Sequence, residues 1–374
     1  MSPIRIPVHR PLVGPAELQG VQEVFDSRWL GAGGITKKFE EALAQLLDVR
    51  HVIAVNTGTA ALHVALAALR LQPGDEVVLP SLTFVSSAQA ILAVGGKPIF
   101  CEVSSDSLTM DVEDAVKRIG PRTKAIMPVD YGGRVCDMER LRASVGNKIT
   151  LIEDAAHAFG SRRYGRMAGT LGDIGCFSFD PIKNITCGGG GAAVTEDDRA
   201  AAAMRTVSNV GIERDSWSRL HTERPWYYDV VAPGFRYQMS DLHAAIGMAQ
   251  LSRLEEFRAR KRCIVRSYDA AFQDLSNVVL TGRDEEAVFP FSYVVRVLDG
   301  RRDRLMRYLG ERGIGTAVQF IPCHRYTLFA NQTNLPVTDG LYDQIVTLPL
   351  YVEMRDQDVD EVIAGVHSFF GHRT

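Results

Sequence analysis

The chain lacks several features that would narrow its function at once. Its six cysteines, at 101, 136, 176, 187, 263 and 323, include no CxxC pair and no zinc-ligand spacing. In a chain of 374 residues, cysteines scattered in this way read as small buried hydrophobes, not as a disulfide framework. No run reaches the ~18 apolar residues of a membrane span. Met1 to Pro11 carries prolines and charges where a signal peptide needs an apolar stretch. An excess of one charge is missing too, since 42 Lys+Arg stand against 45 Asp+Glu for a net charge of −3. That balance gives no electrostatic reason to expect nucleic acid or a membrane surface as a partner. A cytoplasmic location is the resulting expectation. No repeat of fixed period and no GxxxxGK(S/T) phosphate loop is found, because Gly96-Lys97 is followed by Pro98.

What is present is an ordinary globular composition, 46% hydrophobic and 23% charged, long enough to build its core without staples. From about residue 36 helical and strand periodicities alternate. Lys37 to Leu47 has a helical stripe (Phe39, Leu43, Leu46, Leu47), His51 to Val55 reads as a buried strand, and Thr59 to Leu69 as a helix. Strands follow at Glu76 to Leu79, Lys97 to Glu102, Lys124 to Val129 and Thr150 to Ile152, with helices at Val85 to Val94 and Val112 to Ile119. This cadence predicts right-handed βαβ units and a mainly parallel sheet, an α/β fold. Near residue 250 the texture changes. Leu251 to Phe272 reads as one long charged helix, followed by a strand at Phe291 to Val297, a helix at Asp303 to Arg312, a strand at Thr316 to Ile321 and a last helix at Asp356 to Phe370. We expect a large domain over 1–250 and a smaller α+β domain over 251–374.

Four segments could carry chemistry. Asn56-Thr57-Gly58-Thr59-Ala60-Ala61-Leu62 stands where a strand turns into a helix, so its first amides could hold a phosphate. The simpler alternative is a helix capped by Thr57 or Thr59. Glu153-Asp154-Ala155-Ala156-His157 ends a strand whose carboxyl end should face a ligand crevice, with His157 on the same helix face as Asp154. A capping Asp154 and a core His157 would fit the same residues. Gly175 to Asn184 is a strand running into a Pro-marked turn and Lys183, with Cys176 and Ser178 on one face and Phe177 and Phe179 on the other. Partial desolvation there would make Lys183 a usable amine nucleophile, although most lysines are plain surface charges. Gly188 to Gly191 formally begins a GxGxxA fingerprint, but a strand follows it where a helix is needed. A tight turn beside Lys183 is the better reading.

Together these parts suit one cofactor. A phosphate cradle, a carboxylate for a pyridine nitrogen, an aromatic for a ring face (Phe84) and a Schiff-base lysine are what pyridoxal 5'-phosphate requires.

The chain also resembles the DegT/DnrJ/EryC1/StrS family of nucleotide-sugar aminotransferases, which have the aspartate aminotransferase-like (type I) PLP fold. The resemblance runs through "NTGTAALHVAL", "PGDEVVLPSLTFVSSAQAI", "IEDAAHAFGS", "GDIGCFSFDPIKNIT", "GGGGAAVT" and "GFRYQMSDLHAAIGMAQL". It implies that Lys183 is the Schiff-base lysine, Asp154 the partner of the pyridinium nitrogen and Phe84 the stacking aromatic. His157 stands where the family has Gln or His near the ring. Thr59 and Ala60 match the phosphate-binding turn, and Ser178 its hydroxyl ligand. Arg236, in "GFRYQM", departs from the Asn or Lys common there. By resemblance this segment reaches the cofactor phosphate of a neighbouring subunit, so Arg236 could clamp that phosphate or the substrate's diphosphate. A homodimer with shared active sites is implied. His324, in "FIPCHRY", falls in a stretch that approaches the sugar nucleotide in relatives. The implied substrates are an amino-acid donor, L-glutamate by resemblance, and a nucleotide-linked keto-sugar. "YQMSDLHAAIG" and "PVDYGG" look more like members that aminate C4 of a 4-keto-6-deoxy sugar than like C3-acting ones. Another type I PLP enzyme, or a PLP-binding regulatory protein without catalysis, would account for the same cofactor residues.

Overall fold

The computed structural model describes residues 3–213, 217, 224, 226–282, 287–330 and 333–371. Helix α1 (Pro15–Ser27), which the periodicity does not announce, starts at a Pro and is capped by Glu17, whose carboxylate accepts from the Gly14 amide at 2.7 Å. The next helix, α2 (Gly34–Leu47), leads into the βαβ series. That series is β1 (His51–Val55), α3 (Gly58–Ala68), β2 (Glu76–Pro80), α4 (Ser86–Ala93), β3 (Lys97–Cys101), α5 (Val112–Lys117), β4 (Thr123–Ile126), α6 (Met138–Val145) and β5 (Thr150–Asp154). A two-residue hairpin, β6 (Arg162–Arg163) and β7 (Arg166–Met167), precedes β8 (Ile174–Ser178), β9 (Gly191–Thr195) and α7 (Asp198–Ser208).

Seven of these strands form one sheet in the order β1-β9-β8-β5-β4-β2-β3. Neighbours from β8 to β3 pair parallel, and β9 alone runs against its neighbours. Both faces are covered, which is why the strands are short continuous apolar runs. Alternation along β1 separates the two cores. Ile53 and Val55 pack on the α3 side, whereas Val52 and Ala54 pack with Phe39 and Leu43 of α2. The same alternation puts Cys176 in the first core and Phe177 in the second.

The C-terminal part begins with α8 (Asp241–Ser252) and α9 (Leu254–Phe272), where the sequence suggests a single helix over Leu251 to Phe272. The chain leaves helical geometry at Arg253 (φ −106°, ψ 9°). The break lets α8 pack on α1 and α2 while Ile264, Tyr268 and Phe272 of α9 enter a separate core. That core lies against a three-stranded antiparallel sheet of β10 (Val278–Leu280), β11 (Tyr293–Val297) and β12 (Ile345–Leu348). Helices α10 (Arg302–Glu311), α11 (Pro336–Tyr342) and α12 (Asp356–Phe370) complete the chain. Thr316 to Ile321 is not a strand, since a single bridge, Ala317 to Thr347, ties it to the sheet. Its alternation is instead that of a wall, with Val318 and Phe320 turned to buried neighbours. The first residues of the chain also pack on this region. Ile6 is part of the C-terminal core, and Leu350 donates its amide to Val8.

Candidate active site

The carboxyl ends of the parallel strands converge on a cavity of about 290 Å³, the usual position for a ligand in an open α/β sheet. Thr59, Phe84, Asp154, His157, Ser178 and Lys183, from four separate stretches of sequence, all line it. Gly58 opens α3 close against β8. A Cβ built on it would stand 2.7 Å from the Ser178 Cβ, so only glycine permits the approach. Thr57 caps the helix, its hydroxyl accepting from the Ala60 amide at 3.0 Å. Capping and ligand binding coexist here, because a helix start leaves further amides without intrahelical acceptors. The Ala60 amide itself is committed to Thr57, and its side chain is buried away from the cavity.

Asp154 ends β5 and is buried. Its Oδ2 accepts from Ser87 Oγ at 2.7 Å and its Oδ1 from the Ala156 amide at 3.2 Å. Burial pushes this carboxyl above its ordinary range, while Ser87, Ala156 and Lys183 pull it back. The Ala156 bond closes a turn, so no helix follows Asp154, contrary to the sequence expectation, and His157 arrives on that turn. His157 stacks on Phe291 with ring centroids 4.2 Å apart, and its buried Nδ1 has no partner among the described residues. Burial and then the nearby Lys183 and His9 hold its imidazole neutral.

Lys183 sits in the turn between β8 and β9, which closes through Lys183 N to Asp180 O at 3.0 Å and Phe179 N to Gly190 O at 2.9 Å. Its Nζ is 4.5 Å from the Phe291 ring centroid. Desolvation lowers its pKa to about 8, against the opposing pull of Asp154 and Asp180. A lysine in that range has a substantial neutral fraction near physiological pH, which a nucleophilic amine needs. Behind Asp154 lies a pair of buried acids. Glu153 accepts from the amides of Gly169, Leu171 and Gly172, and Asp130 beside it is pushed up by burial and by Glu153. Burial and Glu153 favour the neutral form of Asp130, so the pair tends to carry one negative charge in place of two.

Ser87, Phe291, Gln319 and Phe320 also line the cavity and were not identified from sequence. Ser87 had a faint signal, a hydroxyl three residues past the stacking aromatic. The other three come from the C-terminal region and belong to no motif. His324 is not among the lining residues. Its Nδ1 is 2.7 Å from Ser81 Oγ and its Nε2 3.2 Å from Asp339, an arrangement that ties two loops together. Arg236 is exposed and, among the described residues, makes no ion pair. Phe84 is 55% exposed, with its ring 5.5 Å between centroids from that of Phe320. Among the described residues no group of His, Cys, Asp and Glu could hold a metal ion, and no helix is long and apolar enough to cross a membrane.

The residues present fit pyridoxal 5'-phosphate. A carboxylate stands ready for a ring nitrogen, an unpartnered imidazole nitrogen for a ring substituent, and a glycine-permitted helix start with Ser178 beside it for the phosphate.

Comparison with known proteins agrees. The model of the DegT/DnrJ/EryC1/StrS aminotransferase family matches residues 11–367. The spore coat polysaccharide biosynthesis protein SpsC of Bacillus subtilis (strain 168) is 35% identical over 373 residues, covering 96% of each chain. The PMP form of Spr1654 from Streptococcus pneumoniae superposes with a TM-score of 0.92 at 28% identity, over 98% of this chain and 99% of that one. DesI, solved in the presence of its TDP-sugar product, gives 0.87 at 30% identity over 98% and 93%. The chain therefore belongs to the DegT/DnrJ/EryC1/StrS aminotransferase family, with the aspartate aminotransferase-like fold and pyridoxal 5'-phosphate as its cofactor.

Proposed function

We propose that this aminotransferase moves the amino group of an amino acid, L-glutamate, to C4 of a nucleotide-linked 4-keto-6-deoxy sugar. The observation that carries the reading is one cavity holding a lysine amine and a buried carboxylate at the strand ends. The sugar is supported by DesI, whose structure holds a TDP-sugar product, and by the polysaccharide role in the name of SpsC. The C4 position rests on the resemblance of "YQMSDLHAAIG" and "PVDYGG" to C4-acting members. A homodimer is supported by the exposed apolar residues Trp226, Tyr227, Val230, Val231 and Phe235, which adjoin Arg236. A large domain over 1–250, a small one over 251–374 and a cytoplasmic location complete the proposal.

When bound, pyridoxal phosphate supplies an electron-accepting ring that lets a proton leave the carbon carrying nitrogen. In this reading Lys183 Nζ takes that proton and returns it, in both halves of the transfer. Asp154 would keep a proton on the ring nitrogen, Ser87 orients Asp154, and Thr59 and Ser178 would hold the phosphate. Phe84 would supply the aromatic face for the ring, and His157 would stand near it with a free Nδ1.

The test is a spectral titration of the purified protein. Glutamate should bleach the visible absorbance of the bound cofactor, and a nucleotide 4-keto sugar should restore it where a 3-keto sugar does not. Restoration by 3-keto sugars alone would move the reaction to C3. A yellow protein that ignores every nucleotide sugar would point to another amino acceptor. Lys183→Ala should lower turnover by about 10³-fold or more. An active Lys183→Ala protein that binds cofactor normally overturns the assignment.

A further inference from the structure

A second lysine lies buried behind the first. Lys261, on α9, is only 4% exposed, and its Nζ donates to Asn184 Oδ1 at 3.0 Å. Asn184 is the residue after Lys183 and is itself buried. Its Nδ2 donates to the carbonyls of Phe289 at 3.1 Å and Phe159 at 3.3 Å. The side chain of Lys261 therefore reaches from the C-terminal helix to the turn that presents Lys183. Both amines lie against one ring, with Lys183 Nζ 4.5 Å and Lys261 Nζ 6.0 Å from the Phe291 centroid.

The charges around the pair do not neutralise Lys261. Asp154 from β5 and Asp180 from the lysine turn both act on Lys183. From the N-terminal segment His9 stacks on Phe291 at 5.1 Å, and from the turn after β5 comes His157, both of them held neutral by burial. Among the described residues Lys261 makes no ion pair. Burial, and then Lys183, lower its pKa to about 7. An unpaired buried amine is costly, and a methionine would fill the same space without that cost. Such a group beside a reacting lysine is a functional candidate.

We propose that Lys261 is a positioning residue for amino transfer, which fixes the Lys183 turn through Asn184 and competes with Lys183 for a single proton. Two amines packed against one ring resist carrying two charges, and Lys183 lowers the Lys261 amine. A proton held on Lys261 disfavours one on Lys183. At neutral pH the competition enlarges the reactive fraction of Lys183.

The proposal rests on the cofactor reading of Lys183 and not on the sugar. A chain that takes up pyridoxal phosphate yet ignores every keto-sugar would sink the substrate assignment alone. The experiment follows the rate at which cofactor-free full-length protein takes up pyridoxal phosphate between pH 6 and 10, by the growth of visible absorbance. In the wild type the rate should rise with pH through a midpoint near 8, where Lys183 loses its proton, to a plateau above it. Lys261→Met should move that profile up by about 0.5–1 pH unit and slow uptake at pH 7 by about threefold to tenfold. Lys261→Gln, which can still bond Asn184 without a charge, should show the same pH shift with a plateau nearer the wild type. It also carries the test if Lys261→Met does not fold. The bound cofactor's absorbance should titrate with a matching displacement. Folded variants whose uptake profiles and absorbance titrations superimpose on the wild type overturn the proposal, even if they melt at a lower temperature.

Discussion

Ser87 donates to Asp154 at 2.7 Å, and with that proton committed the Thr83 hydroxyl, 2.9 Å away, donates to Ser87 in turn. This short relay opposes the upward push of burial on the Asp154 carboxyl. Removing one donor to a buried charged acceptor costs about 1.5–3 kcal/mol. Ser87→Ala should therefore raise the Asp154 carboxyl further and weaken the charged form that the reaction uses. A folded carboxyl raised above its unfolded value is protonated as pH falls through the higher figure, so the acid limb of kcat against pH should move toward neutrality. We expect about a tenfold loss of kcat with a smaller change in KM. Ser87→Thr, which keeps the hydroxyl, should recover most of it. An unchanged acid limb in Ser87→Ala would show that the relay does not tune Asp154.

At the scale of elements, loops between strands and helices carry the chemistry, and contacts from distant segments hold them. The segment 319–325 supplies Gln319 and Phe320 to the cavity and then tethers itself by His324. The His324 amide donates to Ser81 Oγ at 3.1 Å, and Arg325 Nε donates to Asp339 at 2.6 Å beside the His324 ring. Ser81 is fully buried at the end of β2, so the tether fixes the loop that carries Phe84. On this geometry His324→Ala should act on stability before it acts on sugar recognition. We expect a loss of about 1–3 kcal/mol in denaturant unfolding, with KM for the sugar changed little. A large rise in that KM with unchanged stability would restore His324 to the substrate site. The segment also shows how an alternating pattern can mislead. Alternation reports which side chains face inward, and it cannot tell a sheet from a cavity wall that makes one bridge to a sheet.

At the scale of the whole molecule, an exposed face of apolar side chains adjoins Arg236 in the sequence. Trp226 is 74% and Tyr227 67% exposed, more than a stable isolated chain usually leaves in one place. If a second copy covers this face and Arg236 completes the neighbour's site, the two subunits must complement. Coexpression of Lys183→Ala and Arg236→Ala chains should then restore activity to roughly a quarter of wild-type sites, since half of randomly paired dimers carry one intact site. Each variant alone should be far weaker, and light scattering should give the mass of a dimer for all of them. No recovery in the mixed dimers would confine the Arg236 contribution to its own subunit.

The sequence by itself determined the parts that depend on neighbours in the chain. The βαβ cadence, the parallel sheet, the glycine at the start of α3, the placement of Asp154 and Ser178 at strand ends and of Lys183 in the turn that follows are local facts, because a strand's direction and its end fix where its last residues point. The same holds for the alternation of Cys176 and Ser178 against Phe177 and Phe179. Only the tertiary structure decided the rest. It broke the long helix at Arg253, brought the N-terminal residues onto the C-terminal core, and set Phe291, Gln319 and Lys261 around a lysine they follow by 78 residues or more. Those contacts arise from packing between segments far apart in sequence, where no periodicity or spacing records which faces meet. The chemistry was legible because it is carried by residue types at strand ends. The groups that hold and tune it were not, because their identity is common and only their position is informative.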